Sequence, residues 1–96
     1  MGLSALVLNG EDNVATAVQS LQSGNTVSVE IEDSVIRIVL SQAINVGHKF
    51  ALKDIEQGEE IIKYGETVGR ATVKINRGEH VHIHNVEGLR GRGDKP

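Results

Sequence analysis

Hydrophobic and polar residues alternate in short segments along most of the chain, a pattern typical of strands joined by tight turns. Segment 26–31 alternates strictly and predicts a strand, and the β-branched run at 35–40 predicts the next one. Residues 32–34, Glu-Asp-Ser, lie between them and are expected to form a hairpin turn. The apolar run at 5–8 predicts one more short strand near the start of the chain.

One segment has the spacing of a helix instead. Its apolar residues recur at the i, i+3, i+4 and i+7 positions: Val14, Ala17, Val18 and Leu21. Asp12 or Asn13 is a suitable N-cap, and Gly24 is a suitable left-handed residue after the last turn. The pattern therefore predicts one short N-terminal helix in an otherwise β chain.

A phrase of the form Ile-x-x-Gly-x-x-apolar occurs three times after residue 43, beginning at Ile44, Ile55 and Ile75. We expect each Ile to enter the core, each Gly to take a backbone angle that other residues resist, and a short strand to follow. The starts lie 11 and 20 residues apart (44 to 55, then 55 to 75), which excludes a regular solenoid. The phrase indicates a compact body of short strands.

The composition indicates a single small domain and excludes several kinds of site. With 96 residues the chain has the size of one small domain, and with 2% aromatic residues its core must be aliphatic. The absence of Cys excludes disulfides, thiolate nucleophiles, iron–sulfur ligands and Cys-type zinc sites. We predict a single domain over residues 1–86 and a flexible, Gly-containing tail over 87–96.

Charged residues are distributed unevenly along the chain, and their distribution indicates which partners the chain could bind. Residues 1–60 carry nine acids and three bases (−6), and residues 61–96 carry four acids and seven bases (+3), which sum to −3. The basic run is short and has no interleaved aromatic residues, so no nucleic-acid partner is predicted. No apolar run approaches the roughly 18 residues of a membrane span, and no signal peptide is recognisable. We therefore expect no membrane association and a cytoplasmic location.

Three of the four histidines alternate with aliphatic residues: His80, His82 and His84. On a strand their imidazoles would share one face, about 6.6–6.8 Å apart at the backbone. Imidazole nitrogens are ready metal ligands, so the pattern indicates contact with a metal or a substrate. The alternative is a solvent-exposed face on which His serves only as a polar residue.

Other polar clusters are less specific. His48 and Lys49 follow a Gly and precede an apolar strand, and they fit either a site or a polar turn. Tyr64 is the only tyrosine, and a structural role with a satisfied hydroxyl is the simpler interpretation. Arg90 and Arg92, in a Gly-containing segment, are suited to binding carboxylates. No nucleophilic triad or phosphate-binding Gly loop is visible, so an enzyme complete in itself is not predicted.

The segment from Ile44 to Asn85 resembles the SAF (antifreeze-like) domain of the altronate/galactarate dehydratase family. The resemblance is carried by three phrases in order, GHKFAL at 47–52, IKYGETVGRA at 62–71 and GEHVHIHN at 78–85, followed by RGRGD at 90–94. It implies a mainly β fold of the β-clip type, built of short strands folded back on themselves. The first forty residues add little to the match.

The resemblance also implies a function. Members of this family eliminate water from sugar acids such as altronate and galactarate, with a divalent metal, usually iron or manganese, bound mainly with a large subunit. The SAF part is a small subunit or an N-terminal domain, and the large dehydratase subunit or C-terminal domain carries most of the catalytic machinery. The chain is thus expected to be part of a hydro-lyase and inactive alone. Two alternatives stay open: the small subunit of a sulfolactate sulfo-lyase, and a non-catalytic module that binds sugar acids or docks a partner.

Site residues follow from the same resemblance. His48, His82 and His84 are expected to be catalytic, with His82 and His84 also holding the metal. The residues expected to bind substrate are Lys49, Tyr64, Asn85, Arg90 and Arg92. His80 is the weaker candidate among the histidines, because it stands at the start of the predicted strand.

Overall fold

The computed structural model describes residues 4–88, which form nine β-strands and no helix. The strands are β1 (Ala5–Leu6), β2 (Val14–Ala17), β3 (Thr26–Ile31), β4 (Ser34–Val39), β5 (Lys49–Ala51), β6 (Glu60–Lys63), β7 (Glu66–Ala71), β8 (His80–Val81) and β9 (Val86–Gly88). The expectation of a mainly β fold is confirmed. The hairpin predicted over 26–40 is present as β3 and β4, paired from Thr26–Val39 to Ile31–Ser34.

The predicted N-terminal helix is wrong. Residues Val14–Ala17 form β2, which pairs with β1 on one side and β5 on the other. Asn13 caps no helix: its side-chain amide donates to the Glu60 carbonyl (2.8 Å) and accepts from the Ile62 backbone N–H (2.8 Å). Neighbouring strands satisfy the backbone of β2, and its side chains are buried towards both faces, so tertiary pairing overrides the helical spacing.

A central antiparallel sheet, in the order β1-β2-β5-β8, separates two hydrophobic cores. The β3–β4 hairpin packs on one face of this sheet, and the three-stranded sheet β6-β7-β9 packs on the other. The first core is the larger and includes Phe50, Ile38, Leu40 and Ile44. The second is formed by Val14, Ala51, Ile55, Ile61, Ala71, Ile75 and Val81. Because both faces are covered, side chains reach solvent mainly at the ends and edges of the central sheet.

The three Ile-x-x-Gly phrases form the predicted turns. Each Ile is buried, and each Gly has positive φ: 85° at Gly47, 90° at Gly58 and 88° at Gly78. Strands β5, β6 and β8 follow these turns. A fourth turn of the same kind runs from Leu21 through Gly24 (φ 88°) into β3. The left-handed conformation predicted for Gly24 is present, but this residue ends a turn before a strand and not a helix. The four apolar residues pair as isolated bridges, Leu21 with Ile44 and Ile55 with Ile75.

Two of these glycines allow a controlled test of backbone packing. A Cβ on Gly78 would collide with the Val39 carbonyl oxygen, whereas Gly58 has nearly the same φ and nothing within 4 Å of the Cβ position. We expect Gly78→Ala to lower the free energy of unfolding by at least about 2 kcal/mol more than Gly58→Ala, which carries only the conformational penalty. Denaturant unfolding of both variants measures the difference. Equal losses would show that the turn, and not the close contact, requires Gly78.

The predicted C-terminal tail lies mostly outside the part of the chain that the structure describes. Strand β9 includes residues 87 and 88, and residues 89–96, with Arg90 and Arg92, lie outside the described residues. The flexible tail and the roles of both arginines therefore stay predictions. No helix within residues 4–88 is long and apolar enough to span a membrane.

Candidate functional site

The pairing of β5 with β8 brings histidines from distant parts of the sequence together. Lys49 lies opposite Val81 and Phe50 opposite His80, so the same register continued by one residue places His48 opposite His82. Residues directly opposite on antiparallel strands project from the same face. The two rings stack accordingly, with centroids 4.2 Å apart and planes 18° from parallel.

His80 completes the group from the same face. Its Nε2 lies 2.9 Å from Nδ1 of His48, within hydrogen-bonding distance, and its ring centroid lies 5.1 Å from that of His48 and 5.4 Å from that of His82. One ring nitrogen from each of the three residues lies within 4.8 Å of the others. We call His48, His80 and His82 the imidazole cluster; each of its members is partly buried.

His84 lies next to this cluster but is not part of it. Strand β8 ends at Val81, and residues 82–85 form a turn, so the three alternating histidines do not continue along one strand face. The His84 side chain is exposed, with its ring centroid 5.2 Å from that of His80 and tilted by 32°. The structure thus groups His80 with the predicted pair His48 and His82, and a ligand role for His84 stays a prediction.

Asn85 holds the turn that carries these histidines. Its buried side chain accepts a hydrogen bond from the His82 backbone N–H (2.9 Å) and donates one to the His80 carbonyl (2.9 Å). The N–H of His80 donates to the Gln42 side-chain oxygen (3.0 Å). Along the outer edge of β8, the side-chain amides of Asn85 and Gln42 therefore make the hydrogen bonds that a neighbouring strand would make. These bonds fix the backbone of His80 and His82. Contact of Asn85 with a substrate stays a prediction.

The electrostatic environment favours the neutral imidazole of His80 and that of His82. Burial lowers the pKa of His80 and that of His82, and electrostatic coupling to His48, His84 and the Lys49 ammonium lowers both further. A neutral imidazole offers a free lone pair to a metal ion. No carboxylate contributes to the shift of either group.

The three imidazole nitrogens are donors of the kind that transition-metal ions bind, and they lie within 4.8 Å of one another. Two neighbouring nitrogen ligands of one ion lie about 3 Å apart, close to the 2.9 Å between the ring nitrogens of His48 and His80. An all-imidazole set suits iron, zinc or copper, whereas manganese prefers oxygen ligands. Of the two metals expected from the sequence, the cluster by itself fits iron better.

A groove of about 240 Å³ opens beside the cluster. It is lined by Lys49, Val68, His82, Ile83, Val86 and Gly88. Lys49 is half-buried there, and its pKa is lowered first by burial and then by the positive charge of Lys63. His82 belongs to both the groove and the cluster, so a molecule bound in the groove would lie beside the imidazoles.

Tyr64 lies at the tip of the β6–β7 hairpin. Tyr64 (φ 55°) and Gly65 (φ 79°) form the two-residue turn between Lys63 and Glu66, with the positive φ values of a type I′ turn. The Nζ of Lys63 lies 4.9 Å from the centroid of the Tyr64 ring, a cation–π contact. A direct role of Tyr64 in substrate binding stays a prediction.

Comparison with known proteins finds a matching family model and several similar proteins. Residues 3–89 match the family model described as the altronate/galactarate dehydratase SAF domain. The chain is 33% identical over 90 residues to (2R)-sulfolactate sulfo-lyase subunit alpha of Chromohalobacter salexigens, covering 91% of this chain and 96% of that protein.

Two altronate dehydratases are also similar to the chain. It is 46% identical over 75 residues to the enzyme of Escherichia coli and 35% identical over 89 residues to that of Bacillus subtilis. These matches cover 78% and 88% of this chain. The chain spans only 14% and 16% of the length of these two relatives.

Proposed function

Because the chain belongs to the family of altronate/galactarate dehydratase SAF domains, we propose that it is the small subunit or a domain of a metal-dependent hydro-lyase acting on sugar acids. The observation that carries the proposal is the convergence of His48, His80 and His82 beside a groove that contains a half-buried lysine. The large subunit or domain would complete the site.

The imidazole cluster would hold the metal in this proposal. A bound transition-metal ion supplies a Lewis acid that stabilises negative charge developing on a substrate oxygen. The Asn85 and Gln42 hydrogen bonds hold the backbone of His80 and His82, which keeps the imidazoles in place before any ligand arrives. Lys49, at the edge of the same groove, is placed to bind a carboxylate of the substrate.

The reaction itself is an elimination. The C–H bond beside the carboxylate and the C–O bond on the adjacent carbon break, a C=C bond forms, water leaves, and the enol becomes a 2-oxo acid. The base that removes the α-proton is assigned to the large subunit or domain, which in this proposal carries most of the catalytic machinery. Because the base would lie on the large subunit or domain, the chain would be inactive alone.

Elimination of sulfite is the alternative reaction. It breaks a C–S bond in place of the C–O bond and otherwise needs the same proton transfer. The match over 96% of a sulfolactate sulfo-lyase alpha subunit favours this alternative, whereas the higher identity to the Escherichia coli enzyme favours dehydration of a sugar acid.

An exchange experiment tests the proposal and separates the two reactions. The chain replaces the matching region of the Escherichia coli altronate dehydratase in one arm, and subunit alpha of the Chromohalobacter salexigens sulfo-lyase in the other. We expect turnover in at least one arm, measured as 2-oxo acid formation from altronate or as sulfite release from sulfolactate. Because the site is shared, His48→Ala should reduce that turnover at least about 100-fold, whereas Lys53→Ala, at an exposed position, should leave it unchanged.

The arm that works identifies the reaction. Two folded hybrid enzymes without turnover in either assay would contradict the proposed function. Full activity of the His48→Ala hybrid would remove the imidazole cluster from the mechanism.

A further inference from the structure

The groove beside the imidazole cluster is formed by residues of both sheets that enclose the second core. Lys49 and His82 line it from β5 and from the turn after β8, and Val68, Val86 and Gly88 line it from β7 and β9. Its volume of about 240 Å³ lies below the roughly 300–1,000 Å³ typical of pockets for drug-sized ligands. The groove therefore suits a small metabolite.

Gly88 occupies a position in this groove where the fold does not require glycine. Its φ lies outside the left-handed region, and apart from its chain neighbours no described residue lies within 4 Å of the position that a Cβ would take. Gly69, directly opposite on β7, differs, because a Cβ there would collide with the Glu87 carbonyl oxygen and the Val86 side chain. Glycine weakens a strand, and in a strand it often marks a place where a ligand or another backbone approaches closely.

A side chain at residue 88 would project into the groove. Side chains two residues apart on a strand share a face, so a Cβ on Gly88 would point to the same side of β9 as the Val86 side chain. Both residues line the groove. The missing side chain of Gly88 therefore leaves part of the groove free for a ligand.

The main chain of β9 offers hydrogen-bonding groups at the same place. This strand is the outer one of the sheet β6-β7-β9, and among the described residues no strand lies on its other side. The Thr72 N–H donates to the Asn85 carbonyl (3.0 Å), and hydrogen-bonded pairs alternate along antiparallel strands. Glu87 is therefore in the next hydrogen-bonded pair, whereas Val86 and Gly88 direct their N–H and C=O groups away from β7.

The groove thus combines three kinds of surface that suit different parts of one ligand. The Lys49 ammonium is suited to a carboxylate. Main-chain N–H and C=O groups pair with hydroxyl groups, which both donate and accept hydrogen bonds. The aliphatic side chains of Val68 and Ile83 pack against C–H groups. A small carboxylic acid with a hydroxylated carbon chain has all three.

From this arrangement, we propose that Gly88 is a specificity-determining residue of the groove. A hydroxylated carboxylic acid binds with its carboxylate at Lys49 and its chain along the main chain of Val86 and Gly88, where a side chain at residue 88 would obstruct it. The inference deepens the proposed function and rests on it only in taking this acid to be the substrate.

The first test compares a long and a short acid in NMR titrations of the full, metal-free chain at pH 7.5 and low ionic strength. Galactarate has a hydroxylated six-carbon chain, and glycolate has two carbons. Gly88→Val should weaken galactarate binding at least about tenfold and glycolate binding less than about twofold, because only the longer acid reaches β9. Ser28→Val, at an exposed position of β3, adds bulk away from the groove and should change neither affinity.

Stability separates this role from a structural one. The unfolding midpoint of Gly88→Val should equal or exceed that of the wild type, because valine favours strands and no described residue crowds the Cβ position. Gly88→Ala adds a single methyl group and should weaken galactarate binding less than Gly88→Val does. A midpoint below that of the wild type in both variants would assign Gly88 a structural role and contradict the proposal.

The second test concerns the hydroxyl groups of the ligand. Adipate has the carbon chain and both carboxylates of galactarate without its hydroxyls. It should bind the wild type at least about fivefold more weakly, because it cannot pair with the main chain of β9. The amide resonances of Val86 and Gly88 should accordingly shift more with galactarate than with adipate.

Other results would overturn the proposal. Galactarate binding that is unchanged in Gly88→Val excludes residue 88 as a determinant of specificity, and an equal loss of glycolate binding excludes selection by chain length. Adipate binding as tight as galactarate binding excludes the main-chain hydrogen bonds, and no shift of any groove resonance with galactarate excludes the site. Because these measurements require no turnover, acid binding combined with two inactive hybrid enzymes would refute the proposed function and leave the groove assignment in place.

Discussion

Replacing His80 with alanine is expected to weaken the binding of a transition-metal ion to this chain at least about 100-fold, and the same replacement of His84 less than about fivefold. The difference follows from the geometry: a ring nitrogen of His80 lies within the 4.8 Å set formed with His48 and His82, whereas His84 lies outside that set and is exposed. Losing one of three ligands removes a metal–nitrogen bond. Losing His84 removes only a ring neighbour of His80.

Cobalt(II) is a suitable probe, because its visible absorption reports the number and type of ligands. Titration of the wild type, His80→Ala and His84→Ala, followed by absorption and calorimetry, gives the affinities, and anaerobic titration with iron(II) extends the test to the metal that fits the cluster. His48→Ala should behave like His80→Ala. A larger loss in His84→Ala than in His80→Ala would instead support the pair predicted from the sequence, His82 and His84.

The sequence ranks these histidines differently because β8 ends at Val81, where the Asn85 side chain binds the backbone, although the alternation of residues continues to His84. Alternation over 80–84 suggests one strand face, but the Asn85 amide captures the backbone of His80 and His82 and turns the chain after Val81. The pairing with β5 is non-local, since 32 residues separate His48 from His80. His48 is therefore predicted by the resemblance, and His82 by the alternation and the resemblance together, whereas only the pairing of β5 with β8 brings His80 next to His48.

The fold shows the same contrast between local and long-range effects. The turns at Gly47, Gly58 and Gly78 were predictable because they depend on a local need for positive φ. Strand β2 was not, because the apolar spacing of 14–21 fits a helix, and only its position between β1 and β5 decides otherwise.

Lowering the pH should weaken metal binding steeply, but only below the ordinary His pKa of about 6.5. Protons and metal ions compete for the same imidazole lone pairs, so each ligand that becomes protonated reduces the affinity up to about tenfold per pH unit. Burial and neighbouring positive charges lower the pKa of His80 and of His82, so both stay neutral into mildly acidic solution. The affinity for cobalt(II) should therefore change little between pH 7.5 and 6.5 and then fall up to about 100-fold per unit once both groups titrate.

Calorimetry in buffers of different ionisation enthalpy measures both the affinity and the number of protons released on binding. Near pH 7.5 the release attributable to His80 and His82 should be close to zero, and it should rise as the pH falls through their lowered pKa values. The number of protons released rises at lower pH for a simple reason. An imidazole that is neutral in the metal-free protein has no proton to lose, whereas below its pKa it must lose one proton to bind the metal. An affinity that already falls more than tenfold between pH 7.5 and 6.5 would contradict the lowered pKa values, whereas an affinity unchanged down to pH 5 would exclude imidazoles as the ligands.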